Sequence, residues 1–352
     1  MNGRTSKATC AAVLVVLAIM MPPPAAGIIY VDNDNPADFN NIQAAIDDSN
    51  DGDVVIVAPG AYTGDGNRDI DFMGKAVILR SVDPNDPNIV AATIIDCNGT
   101  EAEPHRAFYF HSNEDSNSVV SGLTIINGCE SSGAAVFCER GSPVIANCLI
   151  RDNFGIAIGC EYGGCRIVNC IIENNGGNTA VVLENHASIA GSLIRNNLTT
   201  AVGAYDASTV TNCVIINNPS TGLSIGDGAT AQSCLIEGNG DRGIMCTGKP
   251  TISGCTIRGN LATSGAGLYC RWWSAPVVRD CVISDNFAVY EGGGIYCGGE
   301  NTLLTNCVVA GNSAANRGGG IYIGGSSACL TNCIVWGKTA QMRPKRALPA
   351  TG

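Results

Sequence analysis

The sequence predicts an all-β solenoid, a parallel β-helix of about eleven coils closed at its N-terminal end by a short helix. Three observations predict it. The phrase Asn147-Cys148-Leu149-Ile150-Arg151-Asp152-Asn153 returns with Cys170, Ser192, Cys213, Cys234, Cys255, Cys281, Cys307 and Cys333 in the cysteine position. The steps are even from Cys148 to Cys255 and then lengthen by about one short turn, the range of a stacked solenoid. An isoleucine two places on, from Ile150 to Ile283, shares the cysteine's face by the two-residue period of a strand. An asparagine five places on, from Asn153 to Asn312, closes each phrase. Asparagine tolerates left-handed backbone and bonds to the turns above and below it. Ser121-Gly122-Leu123-Thr124 fits one step earlier, with Gly122 in the cysteine position.

Residues 1–27 read as a signal peptide. Arg4 and Lys7 make a basic start, Ala11 to Met21 an apolar run, and Ala25-Ala26-Gly27 a cleavage site. The run is too short to span a bilayer, which needs about 20 residues, and no later stretch is long enough, so no transmembrane segment is expected. Residues 28–53 read as the N-terminal cap, with Phe39, Ile42 and Ile46 at helical spacing over the open end. Val54 to Val57 is the first buried strand expected, and 54–337 is the β-helix. Within it, one strand of each coil follows glycine, as in Gly294-Ile295-Tyr296-Cys297, and the second is the Cys-x-Ile phrase. Residues 338–352 read as an irregular basic tail with a truncated end. Its Leu348-Pro349-Ala350-Thr351-Gly352 resembles a sortase sorting motif without the apolar segment a working signal carries.

The formal charge is −11. Residues 1–27 carry two basic groups and 338–352 four, with no acidic group in either, so the body 28–337 carries −17. That charge repels polyanions and excludes nucleic acid as a partner. The chain has 18 cysteines, which in an exported protein suggests disulfides. Most, however, form columns: the one running from Cys148 to Cys333, and a second at Cys138, Cys160, Cys246, Cys270 and Cys297. In-register neighbours about 4.8 Å apart lack the dihedral a disulfide needs, so the columns read as buried thiols. The off-column Cys97, Cys129, Cys165 and Cys329 are the disulfide or surface-thiol candidates.

The stretch Ile42-Gln43-Ala44-Ala45-Ile46, followed by Gly52-Asp53-Val54-Val55-Ile56-Val57-Ala58-Pro59-Gly60-Ala61-Tyr62, resembles the opening of pectate-lyase-like proteins. The repeats resemble the right-handed parallel β-helix of NosD-like proteins. Gly318-Gly319-Gly320-Ile321-Tyr322 is similar to repeats of polymorphic outer-membrane proteins. The resemblance covers about residues 28–337. It implies a single-stranded right-handed parallel β-helix, a scaffold that hosts lyases, hydrolases, epimerases and adhesins. The motifs of the enzymes on it are absent: neither an Asp-Pro-His string nor a Gly-His-Gly with paired aspartates occurs.

Candidate sites follow from outward positions. Tyr269, Tyr296 and Tyr322 share one such position in three consecutive coils, with Arg271, Trp272 and Trp273 just beyond Tyr269. Flat aromatic faces stack on sugar rings, whereas matched tyrosines also stack on one another to stabilise a sheet. Adjacent tryptophans on a strand cannot both face inward. Arg151, Glu173, Arg195, Glu237 and Arg258, three places after the column, read as an ion-pair ladder. The residue just after the column is apolar in most coils and forms an outward ridge. His105, His111 and His186 read as ordinary surface or turn residues. Asp32-Asn33-Asp34-Asn35 and the set Asp65, Asp69, Asp71 offer oxygens for calcium but lack a full loop pattern, so no cofactor is expected.

The function expected is that of an exported, non-catalytic protein. It binds a polysaccharide or cell-surface partner along the Tyr269–Tyr322 flank. The alternatives are a polysaccharide lyase or epimerase acting on a polyuronate, and a structural cell-surface protein.

Overall fold

The computed structural model describes residues 26–340 apart from 300, 325, 326 and 338, and it is a right-handed solenoid of about twelve turns. Residues 1–25 of the expected signal segment and most of the basic tail fall outside the described residues. Each turn gives one strand to each of three parallel sheets, of thirteen, twelve and eleven strands. Val144–Ala146, Leu149–Arg151 and Ile158–Glu161 make one such turn. A short fourth side appears where the coils lengthen after Cys255, with Leu261–Ser264 paired to Phe287–Glu291.

The columns are the interior. Ile150, Ile172, Ile194, Ile215, Ile236, Ile257 and Ile283 are fully buried, and the cysteines of the first column from Cys148 to Cys307 nearly so. Each buried isoleucine contributes about 1.5–3 kcal/mol. Ser192 substitutes for cysteine because the two groups make the same bond. Ser192 Oγ donates to the Ala190 carbonyl at 3.0 Å, and Cys170 Sγ to that of Val168 at 3.4 Å. The register places Leu149 opposite Thr124, so Leu123 rather than Gly122 holds the column position in that coil.

The asparagine column does something other than turn the chain. The left-handed residues are those just before it, Asp152, Asn174, Asn196 and Asn217 (φ 54–56°), and those just before the cysteine column, Asn147, Asn169, Gly191 and Asn212 (φ 53–60°). The column asparagines are buried and bond to one another. Asn218 Nδ2 donates to Asn239 Oδ1 at 3.0 Å and to the carbonyls of Ile194 and Ile216, while its Oδ1 accepts from Asn197 N and Nδ2.

The first sheet begins before Val54, because Ile28–Val31 pairs in register with Val54–Val57. Helix α1 (Ile42–Asp48) buries Ile42, Ala45 and Ile46 against the open end. Phe39 lies outside it, bridged to Val31. A second helix, α2 (Pro87–Ala92), has no counterpart in the repeat pattern. It starts at the Asp86 N-cap with proline in its first turn, and it covers the start of the outward apolar ridge, where Thr124 Oγ1 donates to the Val90 carbonyl at 2.7 Å. Beyond it Ile171, Val282 and Ile334 are exposed. Among the off-column cysteines, Cys165 is bonded to Cys160 of the second column. Cys97 and Cys129 are buried thiols rather than disulfide or surface groups, and Cys329 is exposed.

Candidate functional site

One outward register position runs through all the strands of the eleven-strand sheet. Along that position stand Asp71, then Tyr109 and Phe137, then Gly159, Val182, Gly203, Ser224 and Met245, then Tyr269, Tyr296 and Tyr322. Strands about 4.8 Å apart put Tyr109 and Tyr322 about 43 Å apart along this face.

At the C-terminal end the three tyrosines meet in register. Tyr269 and Tyr296 stack with ring centroids 5.0 Å apart and planes 21° from parallel, and Tyr296 and Tyr322 at 5.4 Å and 31°. Arg242 lies over Tyr269 at 4.5 Å, and Arg317 over Tyr322 at 5.1 Å. The ladder therefore directs its ring faces at itself and its two arginines, leaving edges and hydroxyls to the outside. Burial in the stack raises the Tyr296 phenol above its ordinary pKa.

The open aromatic faces belong to the two tryptophans. Trp272 and Trp273 are 70% and 83% exposed. They sit on a turn held by Ser274, whose N and Oγ both donate to the Arg271 carbonyl, at 3.1 and 2.6 Å. Trp273 is in the left-handed region at φ 72°, a conformation a bulky side chain adopts only under constraint. Gly298 makes room beneath: a Cβ there would meet Tyr296 at 2.8 Å and Trp272 at 3.1 Å. Thr247, Tyr269, Arg271, Trp272 and Trp273 line an open cleft of about 480 Å³. Of the six expected site residues, the structure thus brings four to one cleft, while Tyr296 and Tyr322 continue away from it as the stack.

The other end of the face holds a group that sequence reading missed. Tyr109 Oη donates to Glu139 Oε2 at 2.6 Å, a bond that raises the phenol's pKa. The His111 ring lies 4.1 Å from that of Tyr109, and its Nε2 is 3.3 Å from the Asp71 carboxylate. Tyr109 stacks on Phe137 at 5.5 Å, with Arg106 over both rings. His105 Nδ1 meets Asp69 at 2.6 Å. Asp71, Tyr109 and Phe137 are register partners, but these early coils are long and unequal, which hides the column from a search for a fixed period.

The two acidic segments do not gather around one point. Asp32 accepts the backbone N–H groups of Asp34 and Asn35, and Asp65 meets Arg68 at 3.5 Å. Asp69 and Asp71 each hold a histidine. In the outward charge ladder, Arg195 meets the half-buried Glu173 at 2.7 Å and Arg258 meets Glu237 at 3.0 Å, surface pairs worth about 1 kcal/mol or less each.

The family model of the right handed beta helix region matches residues 201–341. No curated protein matches the chain in sequence. Among solved structures, the A-module of mannuronan C-5 epimerase AlgE4 from Azotobacter vinelandii is similar with TM-score 0.56, over 86% of this chain and 93% of that one, at 16% identity. PL6 family alginate lyase AlyGC is similar with TM-score 0.50, over 84% of this chain and 52% of that one, at 13% identity. PfbA, a surface adhesin of Streptococcus pneumoniae, reaches TM-score 0.48, over 85% of this chain and 88% of that one, at 13% identity. At such identities the likeness is one of fold, a β-helix shared with an epimerase and a lyase.

Proposed function

We propose that this chain is an exported β-helix protein that binds a linear polysaccharide on the outward face of its eleven-strand sheet, with the Trp272–Trp273 cleft as the contact. The observation that carries the reading is the pair of exposed indoles on a constrained turn beside Arg271. An indole face covers the apolar face of a sugar ring, and a neighbouring guanidinium bonds ring hydroxyls or a carboxylate. The test is retention on immobilised polysaccharides, with mannuronan and alginate, the materials named for two structural neighbours, included in the panel. The double variant Trp272→Ala, Trp273→Ala is expected to lose at least about tenfold in affinity while keeping its circular dichroism. Unchanged retention would sink the reading. Self-association of the chain with no glycan bound would favour a structural cell-surface role.

A second reading, a polysaccharide lyase or epimerase, is favoured by the Tyr109–His111–Glu139–Asp71 group. A phenol and an imidazole side by side, each on a carboxylate, offer an acid and a base within reach of one sugar ring. Unsaturated or epimerised products that disappear in both Tyr109→Phe and His111→Gln would establish it. No turnover on the same panel would leave this group a structural one.

A further inference from the structure

Three sulfurs converge at one corner of the solenoid. Cys138, Cys160 and Cys165 are fully buried, with all sulfurs within 4.8 Å of one another. Cys138 and Cys160 are register partners on adjacent coils, and the Cys160–Cys165 disulfide closes the turn between them and the next strand. Among the described residues no imidazole, carboxylate or fourth sulfur joins the group, and no other set of such ligands converges.

We propose that reduction of the Cys160–Cys165 bond by a dithiol opens a three-sulfur site for one soft monovalent cation, Cu(I). The reductant gives two electrons and two protons, leaving three thiols and an oxidised disulfide of its own. Each S–Cu bond then replaces an S–H bond, and the proton leaves to solvent. Thiolates select soft cations. The missing fourth ligand argues against the closed tetrahedral set of structural zinc and for the trigonal coordination that Cu(I) accepts. Two features supply access and attraction. The closing turn contains Tyr162, which is exposed, and Gly163 and Gly164, whose small size lets it move once untethered. Glu139, Glu161 and Glu184 occupy corresponding positions on three successive coils just beyond the sulfurs, an acidic row that draws cations toward them.

The test uses the full chain, reduced with a dithiol that is then removed under argon, and titrated with Cu(I) against a coloured chelator. The reduced protein is expected to withhold one equivalent and to show thiolate-to-copper absorption. The disulfide-intact protein and Cys165→Ser are each expected to bind at least about tenfold more weakly. Cys138→Ser should behave likewise, and Cys165→Ser at the corner decides should that interior change prevent folding. A first-column variant, Cys234→Ser, is expected to match the wild type. Equal capture by Cys165→Ser and the wild type, or by the disulfide-intact chain, would overturn the proposal. So would a loss in Cys234→Ser as large as that in Cys165→Ser.

Discussion

The buried asparagine ladder shows what one side chain does in a repeat. Asn218 satisfies two carbonyls and its neighbour Asn239, and it accepts two N–H groups of Asn197. Asn218→Ala strips partners from buried groups on both sides, at about 1–3 kcal/mol for each left unmade. A net loss of about 3 kcal/mol is expected in urea unfolding, and a change under about 1 kcal/mol would refute a structural ladder. The column and its bonds to the coils above and below were legible in the sequence, but the left-handed backbone expected at it lies one residue earlier, because asparagine suits both roles. The readable clue lay one residue earlier, where Asp152, Asn174, Asn196, Asn217, Gly238 and Gly259 are the types that tolerate positive φ. Glu184 gives a pH signature. Burial first, then Glu161 and Asp206, raises its pKa in the folded state. Its ionisation therefore opposes folding. The cost is absent below the unfolded value of about 4.3 and grows as pH rises through the raised folded value. Glu184→Gln is expected to raise the melting temperature at pH 7 and leave it unchanged at pH 3. A gain at pH 3 as well would assign the effect to something other than charge.

At the scale of elements, the N-terminal cap is the part that does not repeat. Asn41 Oδ1 accepts from Ala44 N at 2.9 Å to start α1, and Lys75 Nζ donates to the carbonyls of Ile46, Asp47 and Ser49 at 2.8–2.9 Å to finish it. The cation sits at the helix end where it opposes the macrodipole. Ile46→Ala is expected to cost about 3 kcal/mol. Hydrogen exchange should locate the loss in Ile28–Val31 and Val54–Val57, since the effect on a solenoid falls on its nearest coils. Uniform loss of protection along the chain would contradict that. The spacing of Ile42 and Ile46 made this helix legible. Helix α2 escaped because six residues show no apolar period, although Asp86-Pro87 is a start signal. The aromatic flank was legible as a column, but sequence cannot say whether rings present faces or edges. The turn holding Ser274 to Arg271 sets Trp272 and Trp273 apart from the stack.

The whole molecule is a sum of coils, each touching only its neighbours, so length and function should separate. Cys213 and Cys234 hold the same position on successive coils, and the strands on all three sheets keep register across them. Deleting residues 214–234 joins Cys213 to Leu235 and removes one strand from each sheet, while every column stays in phase. Asn218 leaves the ladder, and Asn197 meets Asn239 in its place. On the outward face the deletion removes the hydrogen bond between Tyr205 Oη and Ser224 Oγ. The shortened chain is expected to fold cooperatively, with the same aromatic circular dichroism and a stability lower by about one coil's share. Its cleft, built from residues 247 to 298, lies beyond the deletion, so polysaccharide retention at Trp272 and Trp273 should persist unchanged. If the deletion folds but retention falls, the ligand must reach across the small-residue middle of the face toward Tyr109, and the contact extends beyond one cleft. If the deletion does not fold, the interior is matched coil to coil by more than its columns.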